Sequence, residues 1–561
     1  MTSTSLRAWP DQSIGFLDTE RRFLMTLALA AVSTTLMLEA IRVFVAYMVF
    51  VIDQSNRTRI AEVTFIAFGA IALGGLLAWL LGRRSAVLVG LGILLISRLI
   101  LQFWEAPAAR LVLGALGLIG WGWLMLGLLA SETTTRRAVA LGVAGGFALD
   151  LTVRIAAGTV DLPWMPGASA DVAAVVLCLL ALLTVLGLRA GAAKLPAVEA
   201  DESTASTVSL IGVGGGLALF LLLSGNLGLI EQRLHAGFPA GAALMALGAV
   251  LGLGMSWLAV GWVEWNDRRL SLTAICLNVA LLVAGNWLSW QAGISRTLTA
   301  LGFVLATSSG LALLAWSLLG GRKPGRVRLT GLTLWLTLGM LLQAVILFAY
   351  YTFSGRPSII WFAIGLLALG ALAGAIVDTF AARPSSPKVA AGGDRISMWL
   401  PAALLTALLA LACLARWAAW SSPPSGAPLG STITVMTYNI QTGFDRDEAW
   451  NLAQTADTIA AAHPDIVVLQ EVSRGWLVTS SVDEALWLSR RLDMPVVFGP
   501  SSEDSLWGNA ILTRAPVLSA SNRDYTTTSN LRRGVLEVEL ATRAGKLAVF
   551  GTHLDDPVPA N

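Results

Sequence analysis

Long apolar runs recur along the first three-quarters of this chain, separated by short polar hinges. Crossing the hydrocarbon core of a bilayer takes about 20 mostly apolar residues. Thirteen stretches qualify: 27–52, 61–81, 86–104, 110–130, 137–157, 171–188, 207–230, 238–263, 270–288, 297–319, 330–353, 359–381 and 398–420. Backbone polar groups in lipid must be satisfied within the segment, so runs of this length predict spanning helices. Composition agrees: 56% of residues are hydrophobic and 13% charged, against about 25% charged in soluble domains. An ordinary soluble, disordered or collagen-like chain is excluded.

The spans organise into a twelve-span domain over 23–381, preceded by a polar cytoplasmic segment at 1–22 with no cleavable secretory signal, and followed by a thirteenth span at 398–420. The longest hinge, 189–206, divides the twelve six and six. That layout resembles major-facilitator transporters, which gives a 6+6+1 arrangement. With the N-terminus in the cytoplasm, eighteen Lys and Arg fall in cytoplasmic segments and six in the opposite loops, as the positive-inside rule requires. Thirteen is odd, so the remainder of the chain is expected outside the cytoplasm, on a plasma or inner membrane. Cys178, Cys276 and Cys413 lie far apart inside apolar runs and read as packing residues. Within the spans, Glu39 and Arg42 lie three apart and Asp150 and Arg154 four apart, so each pair is expected to neutralise itself along one helix face. Arg98 stands without a partner at such spacing. Ions at this depth often mark a ligand pathway, which makes a transporter or lipid-binding protein the alternative reading.

Residues 421–431, Ser-Ser-Pro-Pro-Ser-Gly-Ala-Pro-Leu-Gly-Ser, read as a short tether. After it, at 432–561, the periodicity changes. Strands are expected at 433–440, 466–469, 509–513, 535–540 and 547–552, with helices at 448–462 and 483–492. This region holds ten basic and sixteen acidic residues, a net of −6, whereas residues 1–431 carry 28 basic and 19 acidic, a net of +9.

Five blocks in this region follow a known order: Met436-Thr-Tyr-Asn-Ile440, Asp465-Ile-Val-Val-Leu-Gln-Glu-Val472, Trp507-Gly-Asn-Ala-Ile-Leu-Thr-Arg514, Arg533-Gly-Val-Leu536 and Gly551-Thr-His-Leu-Asp555. They resemble the endonuclease/exonuclease/phosphatase (DNase I-like) superfamily. The resemblance implies an α/β/β/α four-layer sandwich and Mg²⁺-dependent cleavage of phosphate esters. Its fusion to a multi-span domain resembles the GPI-anchor lipid-remodelling arrangement. The family's later blocks, a Gly-Asp-x-Asn and a final Asp-His, do not follow. The expectation is therefore an incomplete sandwich, from a truncated chain, with little or no catalysis as it stands.

Strands ending in Asn439 and in Gln470-Glu471 would bring an amide and a carboxylate to one sheet edge. Mg²⁺ prefers hard oxygen ligands and takes one or two carboxylates plus water and phosphate. Glu471 is the first-choice ligand and Asn439 its neighbour, for Mg²⁺ or for Mn²⁺ in its place. The resemblance implies that His553 faces the scissile phosphate and protonates the leaving oxygen, work that suits an imidazole near neutral pH. Arg533 matches a phosphate-facing arginine, and Asn509 is expected to order the site. The expected function is a membrane-anchored, Mg²⁺-dependent phosphoesterase acting outside the cytoplasm on lipid-linked phosphate. An acidic domain without a basic run makes nucleic acid the lesser candidate, though an extracytoplasmic nuclease remains an alternative. Nothing in the sequence points to a protein partner.

Overall fold

The computed structural model describes residues 12–52, 56–130, 133–190, 207–235, 237–264, 268–320, 329–380, 395–525 and 532–554. The central hinge beyond residue 190 and the segment 381–394 lie outside the described residues. The apolar runs form helices α1 (Gln12–Val51), α2 (Arg57–Gly69), α3 (Ala72–Leu81), α4 (Arg83–Phe103), α5 (Pro107–Leu129), α6 (Thr133–Ala157) and α7 (Ala168–Ala190). The second set is α8 (Ile211–Leu219), α9 (Leu227–Leu234), α10 (Phe238–Glu264), α11 (Arg268–Trp290), α12 (Arg296–Leu319), α13 (Leu329–Thr352), α14 (Ile360–Phe380) and α15 (Arg395–Ala418). Among the described residues, twelve spans are long and apolar enough to cross a membrane, α2 and α3 together making one of them. The residues from Val208 to Leu234 form a thirteenth only as a pair of segments bent by 45°. The bend has a local cause. A π-helical turn at Phe220–Ser224 ends at Gly225, and the Asn226 side chain restarts the helix by accepting from the Leu229 N–H at 3.1 Å.

The two sets of six pack alike where small residues let backbones approach. In the third and fourth spans, a Cβ at Gly90 would lie 2.6 Å from the Gly120 carbonyl oxygen. In the ninth and tenth, a Cβ at Gly302 would lie 2.8 Å from that of Gly285. The six-and-six division is thus visible as matching helix contacts, without an obvious repeat of residues.

Beyond α15 the chain forms β1 (Val435–Asn439), α16 (Leu452–Ala461), β2 (Ile466–Ser473), α17 (Glu484–Leu492), β3 (Val496–Pro500), β4 (Trp507–Thr513), β5 (Val517–Asp524), β6 (Gly534–Thr542) and β7 (Gly545–Thr552). One sheet has the order β1-β2-β4-β3 and the other β5-β6-β7. Ile466, Val468, Ile511, Leu536, Val538 and Leu540 fill the space between the sheets. On the other face of the first sheet, α16 and α17 cover Val467, Leu469, Ala510 and Leu512. Three layers result, α/β/β. Among the described residues no helix covers the outer face of β5-β6-β7, where Phe550 is 61% exposed.

Two strands escape the sequence reading. β3 is framed by prolines and shows no alternation, and β5 is exposed along its whole length. The tether also ends sooner than expected. The Gly426 N–H donates to the Arg514 carbonyl at 2.5 Å, and Leu429 bridges to Thr542 in parallel and is buried between the sheets. Its second half is therefore part of the sandwich.

The expected in-helix charge pairs are replaced by pairs between helices. Arg42 bonds Asp150 through both terminal nitrogens, and its Nε donates to Asp161 at 2.5 Å. Arg98, far from alone, donates to Glu39 at 2.5 Å. Arg154 lies 3.2 Å from Asp161 rather than closing on Asp150. A planar guanidinium gains more from a carboxylate presented edge-on by another helix than from one reached along its own axis. Three buried carboxylates balance three buried guanidinium groups.

Candidate active site

β1 and β2 run parallel with Asn439 opposite Gln470, so Glu471 follows directly at the strand edge. There the ladder with β4 slips: Leu469 pairs with Ala510 and Val472 with Gly508. Two residues, Gln470 and Glu471, therefore oppose one, Asn509. Glu471 occupies the left-handed region at φ +56, a conformation costly for a residue with a Cβ and often found at functional sites. The bulge turns Glu471 out of the sheet's buried alternation.

Asn509 is buried, and its Nδ2 donates to the Gly534 carbonyl at 3.2 Å. Thr552 Oγ1 donates to the same oxygen at 3.1 Å and lies 2.9 Å from the Tyr525 hydroxyl. These bonds tie the start of β6 to the end of β7, and hence position Arg533 and His553. His553 Nε2 comes 3.5 Å from Glu471 Oε1. The His553 ring packs on Trp507 at 6.1 Å, and the Arg533 guanidinium stands over the same indole at 5.4 Å. Its neighbour Arg532 turns elsewhere, pairing with Glu503 at 2.9 Å. Glu471, Asn509, Arg533 and His553 are thus brought together around Trp507, which the sequence reading did not single out.

Asn439 sits beside them at the strand end, with its Oδ1 accepting from the Gln441 N–H at 3.0 Å. One carboxylate and one amide oxygen at a partly open edge fit a hard divalent cation that keeps water in its remaining positions. Among the described residues no group of three or more His, Cys, Asp or Glu could form a fuller protein cage. Behind the site, Glu484 is fully buried, and its Oε2 accepts from the Ser473 N–H at 2.7 Å. Burial pushes this carboxyl well above the usual range, with the charges of Asp483 and Glu471 acting in the same direction.

The loop after β2 seats the domain on the bundle. Burial alone would lower the Arg474 guanidinium, but Asp483 and Glu231 hold it above its usual value. Arg474 pairs with Asp483 at 2.7 Å and with Glu231 of α9 at 3.3 Å, and donates to Gln232 at 2.7 Å. Arg154 of α6 reaches the Ser481 carbonyl at 2.8 Å. The Tyr351 hydroxyl accepts from the Leu477 N–H at 2.9 Å, and Trp476 stacks on Trp507 with centroids 6.0 Å apart. Every one of these bundle residues lies at the end reached by the odd-numbered spans. That explains how α15 delivers the chain there.

Asp504 closes the same seam. It accepts from the Tyr350 hydroxyl at 2.8 Å, Trp476 Nε1 at 2.7 Å and Ser502 at 2.6 Å. Burial raises its pKa from 3.8 to about 6, against the opposing pull of those donors. The folded seam therefore holds its proton more tightly than the unfolded chain. This disfavours the folded form progressively as pH rises from about 4 to about 6, by up to about 3 kcal/mol. Thermal unfolding in this window should show wild type losing stability with rising pH, and Asp504→Asn should lack that component.

No protein of curated function matches the chain. Solved structures similar to it include a mutant of the E. coli fucose:proton symporter FucP, at 14% identity and TM-score 0.42, covering 65% of this chain and 98% of that one. A double Trp mutant of XylE gives 13% identity and TM-score 0.46, with 71% and 99% covered. A bacterial homologue of the iron transporter ferroportin gives 14% and 0.39, with 64% and 99% covered. Residues 430–525, which hold Asn439, Glu471 and Asn509, match the family model described as the PGAP2IP C-terminal nuclease-like domain.

Proposed function

We propose that this protein is a membrane-anchored, Mg²⁺-dependent phosphoesterase that acts outside the cytoplasm on the phosphate ester of a membrane lipid. The observation that carries this reading is the cluster at the sheet edge: Glu471 forced outward by a bulge, His553 at 3.5 Å from it, and Arg533 on the same indole. Support for a lipid substrate comes from the seating of this domain directly on the end of the helical bundle, through the Arg474, Tyr351 and Asp504 contacts. That end is opposite the one richer in Lys and Arg, which supports an outward-facing domain.

Glu471, with Asn439 beside it, would hold the cation. When bound, it supplies Lewis-acid polarisation of the phosphoryl oxygens. Arg533 presents a planar set of donors to a phosphate oxygen, while its stacking on Trp507 restricts where that fork can point. His553 holds a proton for the leaving oxygen. Asn509 does no chemistry here and keeps Gly534, and with it Arg533, in place. The charges that motivated a transporter reading are balanced among themselves, which accounts for their presence without a transported ligand.

The test uses the full chain in nanodiscs. Calorimetric titration with Mg²⁺, and with Mn²⁺, is expected to show binding that Glu471→Gln weakens by about 10- to 100-fold. Any headgroup release from phosphodiester lipids, expected to be slow, should depend on the metal and disappear in the same variant. Absence of metal binding, or cleavage of plasmid DNA in preference to lipid, would overturn the reading.

A further inference from the structure

A cavity of about 270 Å³ lies where α1, α2 and α13 meet the Trp476–Val478 turn of the soluble domain. Its walls include Met48, Phe68, Leu347, Tyr351, Trp476 and Val478, and among the described residues its one charged lining residue is Arg57, which is exposed at the start of α2. We propose that this cavity holds a hydrocarbon chain of an anionic membrane lipid, with Arg57 facing the headgroup phosphate. The destination of that headgroup rests on the phosphoesterase reading; the seat for the chain does not.

Position is the first argument. The bundle residues that line it come from the last turns of α1 and α13 and the first three turns of α2, all in the half of each span nearest the soluble domain. At 1.5 Å per residue this depth corresponds to one leaflet of the bilayer. Phe348, on the spanning helix α13, also lines the cavity and is 36% exposed, so the cavity is not sealed within the bundle at this depth.

Chemistry is the second. Polar groups in the walls are few and three of them are engaged: Thr64 Oγ1 donates to the Ile60 carbonyl at 2.7 Å, Trp476 Nε1 donates to Asp504 at 2.7 Å, and the Tyr351 hydroxyl accepts from Leu477. A sugar or a small ion would find few donors or acceptors there, whereas an alkyl chain needs none. The Arg57 guanidinium at the rim then suits an anionic headgroup.

Continuity is the third. Trp476 lines the cavity on one side and stacks on Trp507 at 12° between ring planes. Trp507 in turn carries His553 and Arg533. One pair of indoles separates the seat for the chain from the site for the phosphate.

The probe is phosphatidic acid carrying a diazirine at the end of one acyl chain, with diacylglycerol bearing the same chain as its neutral counterpart. After irradiation in nanodiscs, labelled peptides should map to 44–49, 60–68 and 344–352. Ala344→Trp, which fills the cavity, is expected to reduce that labelling about tenfold. Leu180→Trp, on the exposed face of α7, should leave it unchanged. Should Ala344→Trp fail to fold, Ala344→Cys is blocked after purification by an alkyl methanethiosulfonate, with Cys276 and Cys413 replaced by alanine. It must then give the same loss. Arg57→Gln should lower labelling by phosphatidic acid about threefold and spare diacylglycerol. Labelling spread over all lipid-facing helices, or indifferent to both blocks, overturns the chain site; equal effects of Arg57→Gln on the two lipids overturn the headgroup assignment. Neither readout needs hydrolysis, so cavity labelling in a protein that binds no Mg²⁺ would retain this inference and discard the catalytic one.

Discussion

Arg42→Met is expected to destabilise the folded protein by about 3–5 kcal/mol, the cost of leaving buried charge without its partner. Arg42 is 1% exposed, as are Asp150 and Asp161, the two carboxylates it serves from α1. Methionine fills much of the volume but removes every donor. Arg154 remains within 3.2 Å of Asp161, so the charge left most exposed by the change is that of Asp150. The double variant Arg42→Met/Asp150→Asn should therefore recover more than half of the loss. Recovery would not follow if the damage were merely a packing defect. The measurement is the temperature at which the detergent-solubilised protein loses its monodisperse elution peak. The same substitution should loosen the soluble domain, because Arg154, held by this network, also binds the Gly225 and Ser481 carbonyls at 2.5 and 2.8 Å. Faster hydrogen exchange across 474–483 would report it.

The ion network shows where sequence reasoning succeeds and where it stops. Glu39, Arg42, Arg98, Asp150 and Arg154 are conspicuous because charge is rare in apolar runs, and all five are buried. Their partners could not be read from spacing. Along one helix, three or four residues is the only separation that sequence can measure, while Arg42 finds its partners 108 and 119 positions away. Asp161 lies beyond the end of α6 and carried no signal at all. The site divides in the same way. Asn439, Glu471, Asn509, Arg533 and His553 stand in recognisable blocks at strand ends, where apolar patterning marks β2, β4, β6 and β7. Trp476, Trp507 and Asp504 were invisible as a group. Aromatic residues are common in this chain, and what distinguishes these three is a stack and a shared carboxylate formed when the soluble domain folds, which the bundle then joins through the Tyr350 hydroxyl on Asp504. The bulge at Glu471 is equally silent in sequence. It appears only when the step from Leu469 to Val472 on one strand is matched by the shorter step from Ala510 to Gly508 on the other.

His553→Ala should reduce whatever hydrolysis of a lipid phosphodiester the chain performs by about 10²–10⁴-fold, the usual contribution of a positioned general acid. The leaving group of such a lipid is an alkoxide, which departs poorly unless protonated, and imidazole is the group at this sheet edge whose ordinary pKa suits that transfer. Position supports the role: the ring is clamped between the Trp507 indole and Glu471, and Thr552 before it is fixed to Gly534 and Tyr525. The effect should depend on the leaving group. With a p-nitrophenyl ester, whose phenolate needs no proton, the same variant is expected to lose less than about tenfold. Arg533→Lys provides the contrast, because it keeps the charge but gives up the planar fork and its stacking on Trp507. It should slow both substrates alike. Equal losses from His553→Ala on the alkyl and nitrophenyl esters would assign His553 to phosphate binding rather than proton transfer.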